Sequence, residues 1–201
     1  MTVSSALSQD KARVRREALV RRDGLDAAYR AEASLAIAAR CDQDLAFEAG
    51  TGIAGFLPIR SEIDPRPLMA MLEARGARIA VPAIVDDALQ FREHVQGVEL
   101  VPQGFGTFAP GPASATIEPA ILLMPLAAFD RRGGRIGYGR AFYDRAVAAL
   151  RAKGFDPFLV GLGFAVQEVD HVPTEPHDVP LGLVVTERES IRPSPRPTTD
   201  R

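Results

Sequence analysis

A short segment rich in glycine and arginine is the part of the sequence best suited to bind an anion. It reads GGRIGYGRAFYD and runs from Gly133 to Asp144. Glycine lets the backbone bend so that its N–H groups can face a ligand, and arginine binds phosphate through paired hydrogen bonds. A predicted helix follows, and helix N-termini also attract anions. A phosphate group is the expected ligand; the alternative is a flexible hairpin with solvated arginines.

Two common phosphate-binding motifs do not describe this segment. The sequence contains no GxxxxGK[ST], and the run GYGRAF lacks the third glycine of the dinucleotide-binding GxGxxG motif. The glycine-rich segment must therefore bind phosphate in another way.

Two aspartates could hold a metal ion next to such a phosphate. Asp144 ends the glycine-rich segment, and Asp178 lies in a later loop. Mg²⁺ bound to a nucleotide commonly takes one or two carboxylates and completes its coordination with phosphate oxygens and water. Asp144 can equally interact with the helix dipole, and Asp178 can bond nearby backbone. The residue types leave both interpretations of each aspartate open.

Three other charged residues are candidates for ligand contacts. Lys11 and Arg15 are four residues apart in a predicted helix, so both project from one side and could reach phosphates. A solvated basic face is the commoner explanation of such a pair. Glu62 follows a predicted strand, where it could bond the donor groups of a heterocycle or support the next helix N-terminus. Sequence physics does not choose between these alternatives.

Helices and strands alternate along most of the chain. Helices are predicted over residues 8–22, 27–40, 65–75 and 142–153, with Ser8, Asp26 and Asp64 as candidate N-caps. Strands are predicted over residues 52–57, 77–84, 88–95, 120–129, 158–164 and 183–186, the third near an edge and the fourth central. Residues 102–119 are expected to form a long irregular connection. Residues 1–190 are expected to form a single domain, and residues 191–201 a disordered tail.

This alternation predicts a three-layer α/β domain with a largely parallel sheet. Ligands of such domains bind outside the carboxyl ends of the strands. Unusual polar residues follow three of the predicted strands, at 60–62, 135–144 and 167–178. We therefore expect these three segments to converge on one edge of the sheet.

Composition excludes several classes of protein. A formal net charge of −2 provides no basic field of the kind that binds nucleic acid or anionic membranes. The single cysteine, Cys41, cannot form an intramolecular disulfide, and no zinc-binding pattern is present. No apolar stretch approaches the length of a membrane span. We expect a cytoplasmic protein that binds neither nucleic acid nor membranes.

Five segments of the chain form an ordered pattern. They are KARVR, FLPIRSEIDPRPLM, VPQGFGTFAP, PLAAFDRRGGRIGYGRAFYDR and VGLGFAVQEVDHVPTEPHDVPLGLVVTE. In order and spacing they resemble the 5-formyltetrahydrofolate cyclo-ligase family, also called methenyltetrahydrofolate synthetases. The resemblance spans nearly the whole chain and implies a Rossmann-like α/β/α sandwich. Arg140 and Ala141 stand where family members often have glycines, and Phe142 replaces a tyrosine.

The resemblance also implies a role for each site residue. ATP would be bound by Lys11, Arg15, Arg135, Ile136, Gly137, Tyr138, Gly139, Arg140, Ala141, Phe142 and Tyr143. The folate would contact Arg15, Leu57, Glu62, Tyr138, Gly139, Arg140, Ala141 and Phe142. Mg²⁺ would be bound by Asp144 and Asp178, and the catalytic candidates are Arg135, Arg140 and Tyr143.

The implied reaction is the ATP- and Mg²⁺-dependent cyclisation of 5-formyltetrahydrofolate to 5,10-methenyltetrahydrofolate, with release of ADP and phosphate. The alternative is a relative that binds folate or nucleotide without catalysing the cyclisation. An active enzyme is favoured because Lys11, Arg15, Glu62, Asp144 and Asp178 are all present. We expect the enzyme to act as a monomer.

Overall fold

The secondary structure alternates between helices and strands along the chain. The computed structural model describes residues 3–104, 106–175 and 178–193. Its α-helices are α1 (Val3–Asp23), α2 (Ala27–Asp44), α3 (Arg66–Ala74) and α4 (Phe142–Ala152). Its strands are β1 (Gly52–Ala54), β2 (Arg78–Val85), β3 (Ala88–Glu93), β4 (Leu100–Gly104), β5 (Thr107–Pro110), β6 (Ile121–Pro125), β7 (Ala128–Phe129), β8 (Arg135–Ile136), β9 (Phe158–Leu162), β10 (Leu183–Val185) and β11 (Ser190–Ile191).

A seven-stranded sheet with the order β11-β10-β9-β6-β1-β2-β3 forms the centre of the molecule. Strands β10, β9, β6, β1 and β2 pair in parallel. The edge strands β3 and β11 pair antiparallel to their neighbours. The largely parallel sheet is confirmed, and so are the edge position of β3 and the central position of β6.

Helices cover both faces of this sheet. Successive residues of a strand point to opposite faces, and Ile53 and Ala54 of β1 belong to different core clusters. Ile53 packs with α2 and α3, whereas Ala54 packs with α4. Strand β6 divides in the same way, with Leu123 facing α2 and α3 and Leu122 facing α4. The predicted three-layer α/β fold is confirmed.

Helix α1 lies over a small hairpin formed by β7 and β8. Val14 and Ala18 of α1 pack against Ala128 and Ile136 of this hairpin. Because β8 is part of the glycine-rich segment, this packing places α1 beside that segment.

Two of the predicted helix starts were wrong. Helix α1 already begins at Val3 because Ser8, although a possible cap, is preceded by residues that also accept helical geometry. Helix α3 begins at Arg66, and its N-cap residue is Pro65 rather than Asp64. Asp64 still accepts the backbone N–H of Arg66 at 3.0 Å. The Asp64 carboxylate therefore stabilises the start of α3 from the residue before the N-cap, and not from the N-cap position itself.

The predicted strand over residues 120–129 is two strands, β6 and β7, in different sheets. The buried side-chain amide of Gln167 lies at the break between them. It donates to the carbonyl oxygens of Leu126 at 2.5 Å and Ala127 at 3.1 Å. The apolar sequence alone gave no sign of this interruption.

The predicted irregular connection at 102–119 was wrong in its first half. Strands β4 and β5 form an antiparallel hairpin there. Gly104 (φ 83°) and Gly106 (φ 78°) adopt the left-handed backbone of its turn. The glycines that suggested irregular structure therefore serve a hairpin.

The C-terminal boundary also differs from the predicted one. Ile191, the first residue assigned to the tail, belongs to β11 and is buried. Composition around it is rich in proline, but β10 supplies an edge with which two residues can still pair. The predicted disorder of residues 194–201 lies outside the described part of the chain.

Candidate active site

Residues that follow the carboxyl ends of β1, β6 and β9 line one cavity of about 770 Å³. This volume is typical of pockets that bind small molecules. Its lining includes every residue assigned to ATP, folate or Mg²⁺, namely Lys11, Arg15, Leu57, Glu62, Arg135, Ile136, Gly137, Tyr138, Gly139, Arg140, Ala141, Phe142, Tyr143, Asp144 and Asp178. The structure thus brings the predicted site residues together, and the role of each remains a prediction.

The lining has two chemically different parts. One, which we term the charged cluster, consists of Lys11, Arg135, Asp144, Glu175 and Asp178. The other, which we term the apolar wall, consists of Phe56, Leu57, Ile84, Leu89 and Phe108. The charged cluster comes from α1, the glycine-rich segment and the loop after β9. The apolar wall comes from the loop after β1, from β2 and β3, and from the β4–β5 hairpin. Sequence reasoning missed Glu175 and most of the apolar wall.

A buried carboxylate, Asp130, fixes the turn that enters the glycine-rich segment. Its Oδ1 accepts the backbone N–H groups of Arg132 and Gly134, and its Oδ2 accepts that of Val172, each at 2.9 Å. A Cβ at Gly133 would lie 2.7 Å from the carbonyl oxygen of Leu181. The first glycines of the segment therefore serve this turn, and only the part from residue 135 onward lines the cavity.

The N-terminus of α4 faces the cavity without a side-chain cap. Its N-cap residue is Ala141, whose left-handed backbone (φ 51°, ψ 22°) turns the chain into the helix. The first N–H groups of a helix have no partner within the helix and carry a partial positive charge. Residues 142–144, which hold these groups, line the cavity, so this end of α4 is suited to bind an anion.

Arg135 and Asp144 form an ion pair inside the charged cluster. Arg135 Nη2 lies 2.5 Å from Asp144 Oδ1, and the side chains are only 8% and 16% exposed. Burial lowers the pKa of Arg135, and the negative charges of Asp144 and Asp178 oppose that shift. Asp144 also lies in the first turn of α4. The two alternatives for Asp144 are therefore compatible, because one side chain can interact with the helix dipole and with a ligand.

Lys11 lies between two carboxylates of the charged cluster. Its Nζ is 2.6 Å from Asp178 Oδ2 and 2.8 Å from Glu175 Oε2. Burial disfavours the charged amine, but its hydrogen bonds to the two carboxylates outweigh burial and raise the pKa of Lys11. The backbone N–H of Glu175 also donates to Asp178 Oδ2 at 2.7 Å. Glu175 thus holds both Lys11 and Asp178 in place.

Arg15 contacts the glycine-rich segment one helical turn further along α1. Its Nε donates to the carbonyl oxygen of Gly137 at 2.7 Å. A Cβ at Gly139 would lie 3.2 Å from Arg15 Nη2, so the glycine permits a close approach of the guanidinium. Burial lowers the pKa of Arg15. The two basic residues predicted from their spacing therefore both reach the cavity.

Glu62 is a buried carboxylate at the apolar side of the cavity. It is 9% exposed, and its Oε2 accepts the backbone N–H of Ile59 at 2.9 Å. Burial raises the pKa of Glu62, while the N–H of Ile59 and the charge of Arg22 oppose the increase. A buried acid with few partners in the protein is available to accept hydrogen bonds from a ligand.

Two tyrosines flank this carboxylate. Burial and the charge of Glu62 raise the pKa of Tyr138 to about 12 and raise that of Tyr143 as well. Both phenols therefore stay protonated at neutral pH and can donate hydrogen bonds. The buried hydroxyl of Tyr138 lies close enough to Glu62 and Arg22 for both to affect its pKa, but it forms no well-aligned hydrogen bond with a described residue.

The carboxylates of the charged cluster are suitable ligands for Mg²⁺ that arrives with a nucleotide. The described residues contain no group of three or more His, Cys, Asp or Glu side chains arranged to hold a metal by themselves. Asp144 and Asp178 both lie near enough to Arg135 to oppose the lowering of its pKa. Two carboxylates, completed by phosphate oxygens and water, satisfy the coordination that Mg²⁺ requires. The residues present therefore fit this ion.

A sequence model of the 5-formyltetrahydrofolate cyclo-ligase family matches residues 7–187. That range includes both parts of the cavity lining. The chain belongs to the 5-formyltetrahydrofolate cyclo-ligase family. The family membership predicted from the five ordered segments is thereby confirmed.

Curated relatives of this cyclo-ligase family member carry the same family name. The 5-formyltetrahydrofolate cyclo-ligase of Mycolicibacterium smegmatis is 32% identical over 155 residues, which cover 71% of this chain and 77% of that protein. The corresponding protein of Haemophilus influenzae is 32% identical over 136 residues, which cover 64% of this chain and 72% of that protein. These matches agree with the family model.

The fold of the cyclo-ligase family member is also found in a solved structure. A 5,10-methenyltetrahydrofolate synthetase from Aquifex aeolicus superposes with a TM-score of 0.77, covering 95% of this chain and 96% of that one. The two sequences are 23% identical. The similarity supports the α/β fold described above.

Replacing Ala141 with glycine should stabilise the protein. Alanine is strained in the left-handed backbone that Ala141 adopts, and glycine is not. We expect Ala141→Gly to raise the free energy of unfolding by about 1 kcal/mol in urea denaturation. The control is Ala148→Gly, an exposed position inside α4, where glycine should lower that free energy by about 1 kcal/mol. If both variants lowered the free energy of unfolding by similar amounts, Ala141 would not be strained.

Proposed function

We propose that this chain converts 5-formyltetrahydrofolate to 5,10-methenyltetrahydrofolate, using ATP and Mg²⁺ and releasing ADP and phosphate. One observation carries the proposal: a single cavity joins a charged cluster suited to phosphates with an apolar wall and a buried carboxylate suited to a flat heterocycle. Membership of the cyclo-ligase family selects these two substrates among those that such a cavity could hold.

ATP phosphates are assigned to the charged cluster and the N-terminus of α4. Lys11, Arg15, Arg135 and Arg140 supply positive charge from two directions, α1 and the glycine-rich segment. Oriented cations and backbone N–H groups stabilise the charge that develops on a transferring phosphoryl group. The segment from Arg135 to Tyr143 thus forms the nucleotide side of the cavity.

The folate is assigned to the apolar wall. Its pterin ring is flat and can pack on Leu57 and Phe56, while its N–H groups can donate to Glu62. The carboxylate is buried and the neighbouring tyrosines are neutral, so its charge is weakly screened and a hydrogen bond to it is strong. The proposal requires that the N5-formyl group face the nucleotide side.

The reaction requires no protein nucleophile. The formyl oxygen takes the γ-phosphoryl group of ATP, which releases ADP and leaves the formyl carbon bonded to N5 and to the phosphorylated oxygen. The substrate's own N10 then attacks that carbon, phosphate departs with the C–O bond electrons, and N10 loses its proton. The protein holds N10 near the activated carbon and excludes water. We assign the stabilisation of the phosphoryl oxygens to Arg135, Arg140 and Tyr143, which line the cavity.

Mg²⁺ would be held by Asp144 and Asp178 together with ATP oxygens, and it would neutralise phosphate charge. Lys11 and Arg135 occupy oxygens of these two carboxylates. In the proposed complex both cations bond phosphate instead.

No helix in the described ranges has both the length and the apolarity needed to cross a membrane. We propose that the enzyme acts in the cytoplasm, since its single cysteine, Cys41, is a free thiol, and that it acts as a monomer. Every residue of the proposed site comes from one chain, so a second copy is not needed to complete it.

The direct test is an assay of the purified protein with 5-formyltetrahydrofolate, ATP and Mg²⁺. Formation of the methenyl product, followed by its ultraviolet absorbance, should depend on all three components. Measurable binding of ATP without any product would contradict the proposal and favour a folate- or nucleotide-binding relative without this activity.

Asp144→Asn should impair the use of Mg·ATP far more than the binding of folate. The variant removes one negative charge from the proposed metal site and the partner of the buried Arg135. We expect kcat/KM for Mg·ATP to fall by about 100-fold or more. The dissociation constant of 5-formyltetrahydrofolate, measured by calorimetry, should change little.

Asp156→Asn provides the matched control. Asp156 is 75% exposed and bonds Arg151 near the other end of α4. This variant should keep wild-type kinetics. If Asp144→Asn also retained wild-type use of Mg·ATP, Asp144 would not be a metal ligand.

A further inference from the structure

Arg22 is a buried cation that the proposed chemistry does not use. It lies in the last turn of α1, and its side chain is only 1% exposed. It does not line the cavity. A buried guanidinium is costly unless its N–H groups are bonded, yet Nη1 of Arg22 has no hydrogen-bond partner among the described residues. Such a residue calls for an explanation beyond packing.

The contacts of Arg22 connect α1 to both sides of the folate end of the cavity. Its Nε donates to Ser61 Oγ at 3.0 Å, next in sequence to Glu62. Its guanidinium carbon lies 5.8 Å from the centre of the Tyr138 ring, within the range of a cation–π contact. Asp23 Oδ1 accepts the hydroxyl of Ser61 and lies 3.6 Å from Arg22 Nε. One buried side chain therefore touches the two segments that carry Glu62 and Tyr138.

The position of Arg22 separates its role from that of Lys11 and Arg15 on the same helix. Those two residues line the cavity and reach the glycine-rich segment or the carboxylates directly. Arg22 lies behind Ser61 and Tyr138, and it can influence a ligand through these residues and through its charge on Glu62. This arrangement is typical of a residue that orients the groups which bind substrate.

We propose that Arg22 is a positioning residue for the folate, which holds the loop after β1 and the ring of Tyr138 so that Glu62 faces the pterin as a carboxylate. The inference rests on the proposed function, since it concerns the substrate end of the same cavity. It adds a determinant of folate affinity that does not touch the folate.

Charges around Glu62 give this proposal a pH signature. Burial raises the pKa of Glu62, and Arg22, Arg60 and the N–H of Ile59 counteract that increase. Glu62 in turn faces the phenols of Tyr138 and Tyr143, whose pKa values it raises. Without Arg22 the pKa of Glu62 would rise further. The acidic fall of kcat/KM for folate, where Glu62 gains a proton, would therefore move to higher pH.

The experiment compares Arg22→Met, Arg22→Lys and a control, Arg16→Met, which removes an exposed arginine from the same helix. We expect Arg22→Met to lower kcat/KM for 5-formyltetrahydrofolate by about tenfold or more, with a much smaller change for Mg·ATP. Its acidic limb should lie at higher pH than that of the wild type. Arg22→Lys should recover part of both properties, and Arg16→Met should match the wild type.

Ser61→Ala is the second variant, since it removes the acceptor of Arg22 Nε without removing a charge. This variant should raise KM for folate more than KM for ATP. If Arg22→Met does not fold, Ser61→Ala tests the proposal by itself. Wild-type KM for folate in Ser61→Ala or in a folded Arg22→Met would overturn the proposal. Equal decreases in kcat/KM for folate and for Mg·ATP, with an unshifted pH profile, would also overturn the proposal. Absence of product with the wild-type protein would instead refute the proposed function.

Discussion

Opposite charges on three separate segments hold the charged cluster together. Arg135 Nη2 lies 2.5 Å from Asp144 Oδ1, and Lys11 Nζ lies 2.6 Å from Asp178 Oδ2. All four side chains are largely buried, and a buried charge that lost its partner would strongly destabilise the fold. The first pair joins β8 to α4, and the second joins α1 to the loop after β9. The backbone N–H of Val179 in that loop also donates to Asp144 Oδ1 at 3.5 Å. These contacts together fix where α1, α4 and the loop after β9 meet. The position of the glycine-rich segment, and with it one side of the cavity, depends on this meeting point.

We propose that the same pairing prepares the cluster for a nucleotide with its metal ion. Phosphate oxygens can replace carboxylates as partners of Lys11 and Arg135, and Mg²⁺ can replace the two cations as partner of Asp144 and Asp178. Each buried charge then keeps a partner of opposite sign, so that the exchange leaves none uncompensated. The apolar wall and Glu62 complete the cavity. In the proposed complex they hold the phosphoryl acceptor beside its donor.

Sequence reasoning predicted what local patterns encode and missed what distant contacts create. The spacing of Lys11 and Arg15 predicted a shared helix side, and alternating elements predicted a parallel sheet whose loops converge. Arg22 resembles any other arginine of a basic helix until its burial against Tyr138 is known. The break between β6 and β7 likewise depends on Gln167, about 40 residues away. Such contacts have no signal in a single sequence.

In the proposed reaction, one cavity brings the γ-phosphoryl group of ATP onto the formyl oxygen of the folate. Turnover of 5-formyltetrahydrofolate labelled with ¹⁸O in the formyl group, followed by mass spectrometry of the released phosphate, tests this transfer. Direct transfer predicts one ¹⁸O atom in each phosphate molecule. Product formation with unlabelled phosphate would show that ATP is hydrolysed by water instead, and would contradict the arrangement of the two substrates described here.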